Sequence, residues 1–253
     1  MGDLFDIGKM GISAYKDALA TTGQNIANVD TDGYSRRDAK VEELSSSSAD
    51  VVSISNRSGL GVRIGEITRA FDQFLDVKLQ SATSSYSFAK SKSEVFSELE
   101  RTLIPQNATV GTRLREFFDG LSNLAKDPDN SNLRRLALSS AEALSTSISG
   151  LHSGLTDLRK VTHGTLELTA EDFNSTLRNL SQVQKEILGN SIKSGAPHAL
   201  LDQRDKLLEE LSDIGDIAVD YEVNGSIKVS LGKLGAVGTL LEGATVNEVT
   251  VKP

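Results

Sequence analysis

Cysteine and tryptophan are absent from the sequence, proline occurs 4 times, and aromatic residues make up only 5% of 253 positions. Without cysteine there is no disulfide framework, no thiolate nucleophile and no Cys-ligated zinc. With so few aromatics, a core has to be built from Leu, Ile, Ala and Val, a palette that suits elongated helical packing. Positive charge is also short: 27 Lys and Arg face 35 Asp and Glu, a formal net charge of −8. Such a surface repels phosphate backbones and anionic headgroups, so neither nucleic acid nor a membrane is expected as a partner. No apolar run reaches the roughly 18 residues of a membrane span. At the N-terminus, Asp3 and Asp6 stand where a secretory signal is basic, and no apolar segment follows. A protein of this kind that leaves the cell keeps its N-terminus.

What is present is helical period. Residues 3–28 carry two adjacent stripes spaced alternately by three and four. One is Leu4, Ile7, Gly11, Ala14, Ala18, Thr21, Asn25 and Asn28; the other is Phe5, Gly8, Ile12, Tyr15, Leu19, Thr22 and Ile26. A helix apolar or small over so wide an arc needs partners along its length, and its small residues let them come close. The period stops at VDTDGYS. RDAKVEEL and VVSISNR then alternate like strands around a Ser45–Ser48 tract of flexible composition, and Val62–Thr68 is a further strand candidate.

A long helix is expected from about Phe71 to Leu103, with a seam at Leu75, Leu79, Ala82, Tyr86, Ala89, Ser93, Phe96, Glu100 and Leu103. At 1.5 Å per residue it spans about 50 Å. Pro105 closes it. A shorter helix from Val110 to Ala125 ends at KDPDNSN, where Pro128 interrupts and Asp or Asn caps the next helix. That helix has its seam at Ala137, Ala141, Leu144, Ile148, Leu151, Leu155 and Leu158. A break near His163–Gly164 is expected before Leu166, Phe173, Leu180 and Ile187, which recur every seven residues. The seams of 71–215 read as intrachain core. Residues 189–197 form a loop, LLDQRDKLLEELSDI a last helix, and the period then changes to two. Asn224-Gly225 between IAVDYEV and SIKVSLG marks a hairpin. The fold class expected is mainly α: an elongated antiparallel helical bundle or coiled coil with short β-hairpins, and the start of a β-rich domain near 216.

Sites of chemistry do not assemble. NVDTDG (Asn28–Gly33) has the first half of a calcium loop, but position 12 is Ala39 where a bidentate Glu is needed, so it reads as a polar turn. GLGVRIG (Gly59–Gly65) precedes a strand where a dinucleotide loop must open a helix, so a strand-edge role fits. His152, His163 and His198 lack metal-ligand spacing. Ser153 beside His152 lies in a helical run without a nucleophile elbow, and the carboxylates read as solvated helix faces. The Arg36-Arg37 and Arg134-Arg135 doublets are too short for a nucleic-acid patch. No cofactor, no metal and no catalysis are expected.

At ALATTGQNIANVDTDGYSRRDA the sequence resembles the flagellar axial family of rod, hook and hook-associated subunits. In that family a helix ending N-I-A-N is followed by a T-x-G-Y turn. The matching positions are Asn25, Ile26, Ala27, Asn28, Thr31, Gly33 and Tyr34, with Ser35 and Arg36 completing the Y-S-R of its hook-associated branch. Asn tolerates left-handed backbone at a helix end, Gly33 takes a positive φ, and Tyr34 packs back on the apolar stripe. Asp32 replaces the Pro common in T-P-G-Y. KDPDNSNLRRLALSSAEALS and the L-L-D-Q-R-D motif, here Leu200, Leu201, Asp202, Gln203, Arg204 and Asp205, extend the resemblance along nearly the whole chain.

The resemblance implies a non-enzymatic structural subunit that self-assembles as a ring at the hook–filament junction, outside the cell. Export through the flagellar type III channel without a cleaved signal is implied with it. Implied partners are further copies of itself, the hook protein, the next hook-associated protein or flagellin, and an export chaperone. Residues 1–34 would form the axial-core helix and turn, with Leu4, Ile7, Gly11, Ala14, Ala18, Ile12 and Leu19 in subunit contacts. Residues 35–70 would be an extended linker, 71–215 a helical bundle and 216–253 the start of a surface domain. Members of the family end in a second apolar helix, absent here, so the chain reads as an N-terminal portion or an unusually short member. The axial reading expects residues 1–30 to gain order on assembly. A hook or distal-rod subunit, a hydrolase and a cytosolic helical scaffold are the alternatives; the scaffold expects an N-terminal helix already folded in the monomer.

Overall fold

The computed structural model describes residues 2–44, 61–104, 109–191, 197–222, 225–232 and 237–252. Pro105, Asn224, the Ser45–Ser48 tract and VVSISNR therefore lie outside the described residues. Among the described residues five helices and six short strands follow one another: α1 (Gly2–Ala27), β1 (Arg37–Glu43), β2 (Val62–Arg69), α2 (Gln73–Leu103), α3 (Val110–Lys126), α4 (Ser131–Ser191), α5 (His198–Ile214), β3 (Ile217–Tyr221), β4 (Ile227–Leu231), β5 (Gly238–Glu242) and β6 (Thr245–Val246). The class is the one expected, mainly helical with two small antiparallel sheets, β1-β2 and β3-β4-β5-β6.

The helix starts follow local chemistry. Asp72 caps α2 by accepting from the backbone N–H of Phe74 and Leu75, and Thr109 caps α3 through Thr112 N–H. Asn130, in KDPDNSN, accepts from the N–H of Asn132 and Leu133 at 3.0 and 3.4 Å and so opens α4.

α4 runs 61 residues without interruption, about 90 Å at 1.5 Å per residue. The break expected near His163–Gly164 is not there. A lone glycine costs a helix roughly 1 kcal/mol relative to alanine and does not stop it, and no proline accompanies this one. Instead His163 Nδ1 lies 3.5 Å from Glu167 Oε1 one turn on.

The apolar core sits at one end. Phe173, Leu177, Leu180, Val183 and Ile187 of α4 meet Leu207, Leu208 and Leu211 of α5, and both helices cover Ile217, Val219, Ile227, Val229, Leu240 and Leu241 of the four-stranded sheet. The β-rich stretch from 216 thus shares one core with the helices before it. Buried amides pin α4 to segments flanking the sheet: Asn174 exchanges hydrogen bonds with both backbone groups of Val249, and Gln184 donates to Gly225 O at 2.8 Å.

The seam of α2 does not form intrachain core. Leu75, Leu79, Tyr86 and Phe96 are more than half exposed, and the buried side chains of this helix are Gln80 and Ser84. The face turned to α5 and β3 is the polar one, because α5 presents Asp205, Lys206, Glu209 and Asp213 there; Ser87 Oγ donates to Asp213 Oδ1 at 3.4 Å. Ile148 and Leu166 of α4 are also exposed. Nearer its N-terminal end α4 meets α3 through small residues, Gly120 lying against Ala137 and Ser140.

α1 is helical from Gly2 and lies on the β1-β2 hairpin. Ala14 and Thr21 are buried, and Gly11, Ala18 and Asn25 are half-buried. The small-residue stripe has an intrachain partner, so the expectation that residues 1–30 gain order only on assembly differs from the structure. The second stripe has no such cover.

Candidate interface and charged joint

Asn25, near the end of α1, reaches across 12 residues to the first residue of β1. Its Oδ1 accepts from Arg37 N at 2.9 Å and its Nδ2 donates to Arg37 O at 2.8 Å, while Tyr34 Oη donates to the same Oδ1 at 2.9 Å. The turn between is closed by Thr31 N–H on Asn28 O and by Tyr34 N–H on Thr31 O. Gly33 takes φ 79°, a left-handed angle, and a Cβ there would stand 3.1 Å from Lys206 Cβ on α5. The small residue serves both the turn and the close approach.

The oxygens of NVDTDG do not converge. Asn28 is engaged with Gln24 and Thr31, and Asp32 Oδ2 pairs with Lys206 Nζ at 2.8 Å. That hydrogen bond to the ammonium holds the Asp32 carboxyl below its usual range and raises Lys206. Among the described residues no group of three or more His, Asp or Glu is placed to hold a metal ion.

Register then sets Arg37 directly opposite Arg69 in the β1-β2 pair. Like charges facing across a ladder repel, and α5 supplies the counter-charge. Asp202 lies between them, Oδ2 at 3.3 Å from Arg37 Nη2 and Oδ1 at 2.8 Å from Arg69 Nε. Arg69 Nη2 continues to Asp205 Oδ2 at 2.7 Å and to Ser35 Oγ at 3.1 Å, and Asp205 Oδ1 takes Arg204 at 2.8 Å. Arg69 and Arg204 are each 6% exposed at the side chain, and Asp202 is 10%. Rings close the cluster: Arg37 lies over Tyr34, Arg69 over Phe71 and Arg204 over Tyr221, with guanidinium carbons 5.0–5.3 Å from the centroids. Burial, with Asp205 nearby, pushes the Tyr221 hydroxyl up to about 12. Burial likewise raises Asp76, again with Asp205 adding to it.

Of the L-L-D-Q-R-D residues, Leu200 and Leu201 pack against the core, Asp202, Arg204 and Asp205 build the cluster, and Gln203 is exposed. Of the N-terminal motif, Asn25, Thr31, Gly33, Tyr34 and Ser35 shape the joint. Ile26 is exposed, as is Arg36, which pairs with Asp38 at 3.2 Å in solvent. The doublet's other member, Arg37, and also Arg69 and Lys206 take part in the charged joint, and sequence reasoning missed them. Only after pairing does the signal become legible, since two arginines face to face demand acceptors from elsewhere.

On α1 the candidate contact residues divide. Ala14 is buried and Ile7, Gly11 and Ala18 are half-buried. Leu4, at the open start of the seated stripe, is 84% exposed, and Ile12 and Leu19 stand 74% and 72% exposed in line with Phe5, Tyr15 and Ile26.

A family model described as the flagellar hook-associated protein FlgK helical domain matches residues 96–253. The chain belongs to the FlgK family. Flagellar hook-associated protein 1 of Bacillus subtilis is 26% identical over 250 residues, covering 93% of this chain and 49% of the relative. The Escherichia coli protein of the same name is 23% identical, covering all of this chain and 45% of its own length. The chain thus spans about half the length of these FlgK-family relatives. A solved structure, the flagellar hook junction protein FlgK from Burkholderia pseudomallei, shares the fold with a TM-score of 0.61 over 68% of this chain and 30% of its own, at 23% identity. No helix among the described residues is long and apolar enough to cross a membrane.

Proposed function

We propose that this chain is part of a non-catalytic structural subunit of the bacterial flagellum, one that self-assembles at the hook–filament junction to connect the two. The observation that carries the reading is the bare stripe Phe5, Ile12, Tyr15, Leu19 and Ile26 on a helix whose other stripe is already seated. A row of large apolar side chains in water is a docking surface for like helices. Family membership supports a flagellar role, and the FlgK helical-domain match favours the junction over the hook or distal rod.

In this reading α1 and its turn, with Leu4, Ile12 and Leu19, form the contact between copies. The stretch 35–70 links them outward, and the helical domain lies outside. The partners are further copies of the subunit, the hook protein, the next hook-associated protein or flagellin, and an export chaperone. The protein works outside the cell, leaving through the flagellar type III channel with its N-terminus kept. The test is deletion of the gene: cells retaining hooks but shedding unattached filament protein support the reading, and normally attached filaments refute it.

A further inference from the structure

The molecule divides into two units joined by charge. In the first, α1, the turn and the β1-β2 hairpin are stitched together by Asn25 and by the seated stripe. The second is α4, α5 and the four-stranded sheet around the apolar core. None of the described residues 2–69 belongs to that core or packs against it as a partly buried hydrophobic. Apart from the chain itself through Ala70–Asp72, where Phe71 lies edge-on to Tyr221, and the close approach of Gly33 to Lys206, the first unit is held to α5 by Arg37 and Arg69 on Asp202 and Asp205, and by Asp32 on Lys206.

Apolar contacts allow neighbouring surfaces to slide. A guanidinium shared between carboxylates does not, since its planar fork accepts few geometries. Buried ion pairs contribute little net stability, but breaking one leaves an uncompensated charge, so they specify arrangement more than they hold a fold. Asp202 and Asp205 stand three apart on α5, on one face, and the hairpin places Arg37 and Arg69 across from each other to meet them.

We propose that the Arg37, Arg69, Asp202 and Asp205 cluster is an orientational lock. It fixes the direction of the α1–hairpin unit on the helical body, and each unit folds without it. The same lock sets where the bare stripe of α1 points; that consequence rests on the assembly role proposed above, whereas the lock itself does not.

The absence of cysteine allows clean spin labelling. Cysteines placed in pairs at the exposed positions Lys16, Glu66, Asn179 and Asp220 report by double electron–electron resonance. Lys16 with Glu66 reads the first unit, Asn179 with Asp220 the second, and Glu66 with Asn179 the angle between them. The parent should give narrow distributions for all three pairs. In Asp202→Asn and in Arg69→Gln, the Glu66–Asn179 distribution should broaden about twofold or more, as expected of a released joint, with the two internal pairs unchanged. A broad parental distribution, an unchanged Glu66–Asn179 width in the variants, or broadening inside either unit overturns the proposal. So does equal broadening in Asp32→Asn, which would assign the joint to the solvent-exposed pair with Lys206.

Discussion

Asn25 holds Arg37 by both ends of its amide, Oδ1 accepting from the Arg37 N–H at 2.9 Å and Nδ2 donating to the Arg37 carbonyl at 2.8 Å. The side chain does what a neighbouring strand would do for the first residue of β1. Asn25→Ala leaves both backbone groups and the Tyr34 hydroxyl without this partner, at a cost of about 1–3 kcal/mol. Hydrogen exchange at the Arg37 amide should quicken by roughly tenfold or more, since ~1.4 kcal/mol is one factor of ten. Unchanged protection there would show that the amide bridge contributes nothing to the hairpin.

α4 offers a contrast within one helix. Leu180 is 0% exposed between α5 and the sheet, and Leu168 is 71% exposed. Leu180→Ala should lower unfolding free energy by about 2–5 kcal/mol, and Leu168→Ala should change it by no more than about 0.5 kcal/mol. Urea denaturation followed by circular dichroism checks both; equal losses would mean that the core extends further along α4 than it does in this structure.

The Tyr221 hydroxyl ionises at about 12 in the folded protein against an ordinary 10.0, burial being the main cause. The unfolded chain therefore loses this proton first as pH rises. Between 10.0 and about 12 the folded state binds more protons, so stability falls with increasing pH across that window and is unaffected by this group below it. Ultraviolet difference absorbance should show a late tyrosinate step that disappears in Tyr221→Phe.

Assembly is separable from folding on α1. Ile12→Glu and Leu19→Glu alter side chains that are 74% and 72% exposed, so thermal unfolding of the monomer should stay within about 0.5 kcal/mol. A charge set into a helix–helix contact is left without water or partner, so complementation of the deletion strain should fail, with filament attachment lost. Normal swimming with either variant would rule the stripe out as a subunit contact.

Much of this was written in the period of the chain. Two stripes on residues 3–28, the alternation in RDAKVEEL and IAVDYEV, the capping Asn130 and the left-handed Gly33 all follow from local sterics and hydrogen bonding, which act over a few residues. The N-I-A-N and L-L-D-Q-R-D motifs were equally visible, though not their relation. Asp202 and Arg37 stand 165 positions apart, and no local preference records a contact over that span.

Burial is the other quantity that period alone does not supply. Leu75, Leu79 and Tyr86 form as regular a row as Phe173, Leu180 and Ile187, yet the first row is open and the second is core. An amphipathic pattern states which residues share a face, while cover for that face depends on which other elements arrive there. Local period and turn chemistry were enough for most of the helices, the β3-β4 pair, the cap at Asn130 and the two-sided character of α1, but not for the continuity of α4 or for β5 and β6. Packing between distant segments sets which side of α1 is bare and which face of α2 is turned inward, and it answers two arginines brought opposite each other by a hairpin with two aspartates on a distant helix.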